Sequence, residues 1–344
     1  MNLKKALALL LAAAMTLCLF AACAKTPTEP ADATTANGEA VDSNPSESGA
    51  YVVGICQLVQ HVALDAATEG FKAALTEKLG DAVSFDEQNA SGDSTACATI
   101  VNSFVSKKVD LIMANATPAL QAAAAATSEI PILGTSVTEY GVALDIQGFN
   151  GTVGGNISGT SDLAPLDQQA KMLTEIFPDA KTVGLLYCSA EANSQYQVDT
   201  VKSELEAAGL TATLYAFSDS NDLSAVCTSA AGESDVIYVP TDNTCASSTG
   251  IIDGICRPAG VPVVCGEEGI CAGCGTVTLS ISYYDLGYAT GLMAAKILAE
   301  GADISAMPIE YAPQFTPKYN AEICEELNVS VPSDYVAIEA AAAE

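Results

Sequence analysis

The sequence predicts an α/β protein built as two similar doubly wound lobes with parallel sheets. Three observations carry this expectation. Short apolar runs alternate with helix-spaced segments from residue 51 onward, the same series restarts at Thr182, and the stretch between is rich in Gly, Ser and Asn.

The first series has a strand over 51–58 and a helix over 63–79, where Leu64, Ala67, Phe71, Ala74 and Leu75 fall on one face. Strand 83–89, helix 95–106, strand 109–114, helix 119–127 and strand 130–134 follow. The second series takes strand 182–187, helix 194–208, strand 211–217, helix 222–231, strand 235–239, helix 246–256 and strand 261–265. Residues 149–168 read as the crossing between lobes. A strand over 276–282, an amphipathic helix over 285–299, a late strand over 308–311 and a helix over 320–327 complete the chain.

The 344 residues suffice for two domains with substantial cores. Net charge is −29, from 13 Lys and Arg against 42 Asp and Glu, and Arg257 is the only arginine. Nothing here would neutralise phosphates, so no nucleic-acid partner is expected. There is no GxxxxGK[ST] loop, and the Gly runs near Val153-Gly154-Gly155 lack the strand–turn–helix setting of a dinucleotide site. His61 is the single histidine, without a nucleophile elbow or metal-ligand spacing. The expectation is therefore a non-enzyme with no metal and no cofactor.

At the N-terminus Lys4 and Lys5 precede an apolar run over 6–20, and Ala21-Ala22-Cys23 closes it. This is a secretory signal. The small residues before Cys23 resemble a bacterial lipoprotein signal, with 1–22 removed and Cys23 lipidated; ordinary cleavage near Ala22 is the alternative. Residues 23–49, rich in Thr, Pro, Ser and acids, read as a disordered tether, and 339–344 as a frayed end. The remaining ten cysteines mostly sit in apolar patterns and are expected as free, buried thiols. Only Cys271 and Cys274 have the spacing for a local bond.

Chemistry concentrates where strands end and helices begin, since helix N-termini present free N–H groups there. Thr182–Tyr187 is followed by Ser189, Glu191, Asn193 and Ser194. Asn193 and Ser194 suit carboxylate binding, or Ser194 simply caps its helix. Glu191 can take an ammonium group or favour the helix start. Asp242 and Asn243 end another strand, where Asp242 is either an ammonium acceptor or an N-cap. Facing positions in lobe one are Gln57, His61, Asn89 and Thr117. Tyr283 stands at a further crossing and can touch ligand or pack in the core.

Six motifs in order resemble the substrate-binding lipoproteins of bacterial ABC transporters, specifically the family of tryptophan/tyrosine-type binding proteins. They are Gln57-Leu-Val-Gln-His61-Val-Ala-Leu-Asp65 with Glu69-Gly70-Phe71; Gln88-Asn89-Ala90 with Gly92-Asp93; Thr117-Pro118; Glu191-Ala-Asn-Ser194; Pro240-Thr-Asp-Asn243; and Tyr283-Tyr-Asp-Leu-Gly287. Val137-Thr138-Glu139-Tyr140 and the Glu267-Glu268 segment depart from that family's pattern. The resemblance implies a type I periplasmic-binding-protein fold with three crossings. Lobe one would comprise 50–158 plus 283–305, and lobe two 159–282 plus 306–338. It implies a monomeric extracytoplasmic receptor, anchored to the cell membrane through Cys23, that closes on an aromatic or large apolar amino acid. The ligand would pass to an ABC permease and its ATPase. A sensory receptor feeding a membrane kinase or chemoreceptor is the alternative.

Overall fold

The computed structural model describes residues 51–338. The expected export signal (1–22), the expected lipidation site Cys23, the expected tether (23–49) and the expected frayed end (339–344) lie outside the described residues.

Lobe one opens with β1 (Tyr51–Gln57), α1 (Val62–Leu79), β2 (Val83–Asn89), α2 (Ser94–Lys107), β3 (Leu111–Asn115), α3 (Thr117–Ala126), β4 (Ile132–Val137), α4 (Tyr140–Ala143) and β5 (Ile157–Ser161). Lobe two follows with α5 (Leu166–Ile176), β6 (Thr182–Cys188), α6 (Ala192–Ala207), β7 (Thr211–Phe217), α7 (Ser220–Glu233) and β8 (Val236–Val239). It continues through α8 (Asn243–Ala246), α9 (Thr249–Ala259), β9 (Val263–Cys265), α10 (Glu268–Cys274) and β10 (Val277–Ser280). The chain returns to lobe one for α11 (Tyr283–Glu300) and β11 (Glu310–Tyr311), then to lobe two for β12 (Thr316–Tyr319), α12 (Ala321–Glu326) and β13 (Val336–Ala337).

The first sheet has the order β11-β5-β4-β3-β1-β2 and the second β13-β12-β10-β9-β8-β6-β7. All pairs are parallel except β10 with β12. Every residue of β3 and β4 is buried, because helices cover both faces of a parallel sheet and select near-continuous apolar strands. The edge strands β2 and β7 are half exposed. Each sheet reverses its strand order at one place, between β1 and β3 in lobe one and between β6 and β8 in lobe two. Such switch points open a crevice at the carboxyl ends of the strands.

Several local expectations change. The presumed crossing over 149–168 contains β5 and the start of α5. The strand is legible only in three dimensions, because Ile-Ser-Gly-Thr-Ser carries little apolar signal. Its Gly159, at φ +145°, lies against Gly134 of β4, and the pair of glycines makes room for the Tyr140 hydroxyl, which donates to the Thr160 carbonyl at 3.0 Å. The single helix expected over 246–256 is two, α8 and α9, because Asp242 caps a short first turn. Because β5 runs to Ser161 and β11 joins the first sheet, sheet membership changes after 161 and 311 rather than at 158 and 305. The ten described cysteines are buried and free, Cys271 and Cys274 among them on α10.

One close packing matters for the site. Helices α1 and α11 approach so tightly that a methyl at Gly70 would strike the Tyr284 carbonyl. Methyls at Gly287 and Gly291 would strike the carbonyls of Ala67 and Phe71. His61 precedes α1 and Tyr283 begins α11, so this contact fixes the two side chains relative to each other. Gly287→Ala should cost about 1–3 kcal/mol through overpacking. The measurement is a thermal melt, expected to shift down by several degrees; an unchanged Tm would mean that the helices separate freely.

Candidate functional site

The lobe-two wall is built from two strand-to-helix junctions that hold each other. Glu191 follows β6 and precedes α6, yet its side chain makes no capping bond to the backbone of its own helix start. It reaches instead to the start of α8. Its Oε2 accepts from the Asn243 backbone N–H (3.0 Å) and Nδ2 (2.6 Å), and its Oε1 from the Thr244 N–H (2.9 Å) and hydroxyl (2.8 Å). Asp242, after β8, does the converse. Its Oδ1 caps α8 through the Cys245 N–H (2.8 Å), and its Oδ2 accepts from the Cys188 N–H at the end of β6 (2.7 Å). Behind them Asn193 Nδ2 donates to the Thr241 carbonyl (3.1 Å), and Gln197 brackets Thr241 by accepting from its N–H (3.0 Å) and donating to its carbonyl (3.1 Å).

Opposite lies a narrow cavity between the lobes. Lobe one and the crossings contribute His61, Leu64, Ser136, Thr138, Asp162 and Tyr283, and lobe two contributes Asn193, Thr241, Asp242, Asn243, Ala246 and Glu267. The Tyr283 hydroxyl donates to Asp162 Oδ2 at 3.0 Å. His61 Nε2 stands 3.3 Å from Asn243 Oδ1, across the cleft.

The walls carry three buried carboxylates beside one imidazole, and neither Lys nor Arg. Burial raises Asp162 above the ordinary carboxylate range, against bonds from Thr138 and Tyr283. Asp242 is raised by burial and by the neighbouring Glu191 charge. Glu267 is pushed up to about 7 by burial, although the Gly269 and Ile270 N–H groups that it caps pull the other way. Burial lowers His61, partly opposed by its bond to Asn243 and by the charges of Glu191 and Asp65.

Buried polar atoms are normally paired. Among the described residues six buried side-chain atoms lack a protein partner, and four of them belong to residues of this cavity: His61 Nδ1, Ser136 Oγ, Asp162 Oδ1 and Asn193 Oδ1.

Of the residues singled out in the sequence, the structure brings His61, Asn193, Asp242, Asn243 and Tyr283 into the cavity. Glu191 sits behind Asn243, facing a wider crevice of about 210 Å³ between the lobes. Ser194 is fully buried beside Asp242. Four others stay outside. The Gln57 amide is consumed within lobe one by Val59, Asp65 and Thr68. Asn89 holds the Ser91 N–H in an exposed turn. Thr117 is buried in the first turn of α3, and Ser189 donates to the Phe217 carbonyl at the lobe-two rim.

Ser136, Thr138, Asp162, Thr241 and Glu267 were not singled out. Asp162 follows β5, a strand that the reading of 149–168 as a crossing does not include. Ser136 lies near the end of β4 at φ +53°, and Thr138 falls in the segment 137–140 that departs from the family's pattern. Of the acidic pair, Glu267 turns inward as the cap of α10, while Glu268 accepts from Lys318 at 2.5 Å.

The geometry has counterparts. The family described as ABC transporter substrate binding protein matches residues 52–343. The tyrosine-binding protein of Clostridioides difficile (strain R20291) is 36% identical over 263 residues, 75% of each chain. A Streptococcus pneumonia ABC domain solved in complex with L-Trp is 30% identical, covers 84% of this chain and 99% of its own, and superposes with a TM-score of 0.80. A Clostridium difficile substrate-binding protein with adhesive properties, solved in a ligand-free, open form, is 36% identical over 85% of this chain and 100% of its own, with a TM-score of 0.65. The less similar sequence thus gives the better superposition, so the lobes here are arranged more nearly as in the complex. By its matched length, its relatives and its two crossed lobes, this chain belongs to the ABC transporter substrate-binding protein family and has that family's type I periplasmic-binding-protein fold.

Proposed function

We propose that the cavity captures a free α-amino acid with an aromatic or large apolar side chain, through its ammonium group. The supporting observation is the set of unpaired acceptors. Asn243 Nδ2 donates to Glu191, so Asn243 Oδ1 faces His61 and the histidine carries its proton on Nε2. Nδ1 is then a lone-pair acceptor. Asn193 Nδ2 donates to the Thr241 carbonyl, leaving its Oδ1 as a second acceptor. Asp162 Oδ1 is the third. An ammonium group has three N–H donors and a positive charge, which matches three acceptors including one carboxylate. The Ser136 hydroxyl is free to donate to the ligand's carboxylate.

This reading moves the ammonium from Asp242, the acceptor expected in the sequence, to Asp162. Asp242 already accepts from two backbone N–H groups and acts as the N-cap. The named relatives, one called tyrosine-binding and one solved with L-Trp, support an aromatic side chain. The arrangement of the lobes supports a closed form reached by hinge motion at the three crossings. The role is capture and delivery to an ABC permease and its ATPase, without turnover. We place the protein outside the cytoplasm, tethered through 23–49 to a lipid on Cys23.

Asp162→Asn keeps the shape and removes the charge. Calorimetry with L-tyrosine and L-tryptophan should show about 30- to 150-fold weaker binding, or about 2–3 kcal/mol for a buried charge-assisted bond, with Tm of the unliganded protein held or raised. Unchanged affinity would sink the ammonium assignment. Asp242→Ala should instead lower that Tm, since it removes a cap worth about 0.5–2 kcal/mol and orphans the Cys188 N–H.

Acid raises the stability of the unliganded protein. A carboxyl raised on folding contributes stability that is full below its unfolded pKa and lost as pH rises through the folded one. For Glu267 that loss runs from its ordinary value up to about pH 7, where it is complete, and Asp162 and Asp242 act in the same direction. Melts at pH 5.5 and 8 should give the higher Tm at 5.5, and Glu267→Gln should narrow the difference. Equal wild-type values would mean that these acids are not buried. Separately, Cys23→Ser should move the protein from the membrane to the soluble extracytoplasmic fraction; retention at the membrane would remove the lipid anchor.

A further inference from the structure

We infer that His61 is the latch that couples ligand occupancy to lobe closure, reading the ligand's ammonium with Nδ1 and holding lobe two with Nε2–H. The inference rests on the ammonium assignment above and extends it to the mechanics of closing.

The ring is available for this task. His61 occupies the N-cap position of α1 in an extended conformation (φ −162°, ψ 164°) but makes no side-chain bond to its own helix. Its base is anchored, because the Asp65 N–H bonds to the His61 carbonyl at 3.0 Å and α1 is locked against α11 by the glycine contacts. The ring spans the cleft, with Nε2 at 3.3 Å from Asn243 Oδ1. The receiving side is equally fixed, since Glu191 Oε2 takes both the backbone N–H and the amide Nδ2 of Asn243. The Asn243 amide therefore cannot turn without breaking a bond to a buried carboxylate, and its oxygen is presented to lobe one.

These bonds make a chain from ligand to lobe: ammonium to Nδ1, Nε2–H to Asn243 Oδ1, and Asn243 Nδ2–H to Glu191. Each link fixes the proton of the next. An ammonium donating to Nδ1 enforces the tautomer with hydrogen on Nε2, which is the one Asn243 can receive. Closure without the ligand buries Nδ1 with no donor, a state that buried polar groups avoid. His61 is thus a positioning residue as well as a ligand contact, and Asn243 acts through it.

A double-mutant cycle tests the coupling. L-tyrosine and L-tryptophan are titrated calorimetrically into wild type, His61→Ala, Asn243→Ala and the double variant at pH 7.5, and small-angle scattering reports compaction at saturating ligand. Each single variant should weaken binding about tenfold, and the double variant should lose less than about threefold more. Both singles should also compact less than wild type at saturation. A double variant weakened by the full product, about a hundredfold, overturns the latch, and so does wild-type compaction of a saturated Asn243→Ala. Wild type that binds neither amino acid overturns the ammonium assignment itself, a separate outcome. Should an alanine variant lack a thermal transition, the bulk-conserving His61→Phe and Asn243→Leu take its place in the cycle.

Discussion

The site depends on the exchange of carboxylates between two helix starts in lobe two. Glu191 leaves the β6–α6 junction and satisfies the start of α8, while Asp242 leaves the β8–α8 junction and ties the end of β6. Burial raises Asp242, and the repulsion between two acids buried side by side adds to it. The repulsion is offset because N–H groups at helix and strand ends surround both, and such donors and the positive helix end favour negative charge. Each junction is rigid because the other completes it. A ligand arriving from the cleft meets a finished surface and need not order it, which reduces the entropic cost of binding.

Lobe one supplies its wall by a different route. Its contact residues come from the ends of β4 and β5 and from the starts of α1 and α11, four separated segments. The glycine contact between α1 and α11 makes two of these segments one body. Tyr283, at the second crossing, then ties that body to Asp162 beside the first. The crossings and the cavity lining are therefore neighbours, and Asp162 and His61 line one cavity with Asn193 and Asn243. Once water is excluded, every remaining charge interaction strengthens. A cavity with carboxylates and no Lys or Arg then discriminates for ligands that bring their own positive charge.

Much of this was legible before any coordinates. The alternation of β-runs and helix-spaced segments announced both lobes, and the order Glu191, Asn193, Ser194 and Asp242, Asn243 marked one wall. Those residues follow strong apolar strands, so their position at a sheet edge is a local fact. Gln57, Asn89 and Ser189 also stand at strand ends, yet their side chains bond within their own surroundings, and no local pattern records which way a side chain turns. Asp162 was missed for a related reason. A strand of Ser, Gly and Thr has almost no hydrophobic signature, and only its pairing with Gly134 and the packing of Tyr140 make it a strand.

The sequence by itself determined the fold class, the two-lobed repeat, the family resemblance and the lobe-two junction, because these follow from periodicity and from motifs contiguous in the chain. Only the tertiary structure decided which acid caps a helix and which turns an unpaired oxygen into the cavity. Asp242 and Asp162 both end parallel strands, and a carboxylate becomes a cap or keeps an oxygen free according to the donors within about 3 Å of it. Those groups come from distant segments: Cys188 for Asp242, and Tyr283 for Asp162. The same holds for His61, whose two ring nitrogens acquire different duties only when a residue 182 positions away closes over one of them.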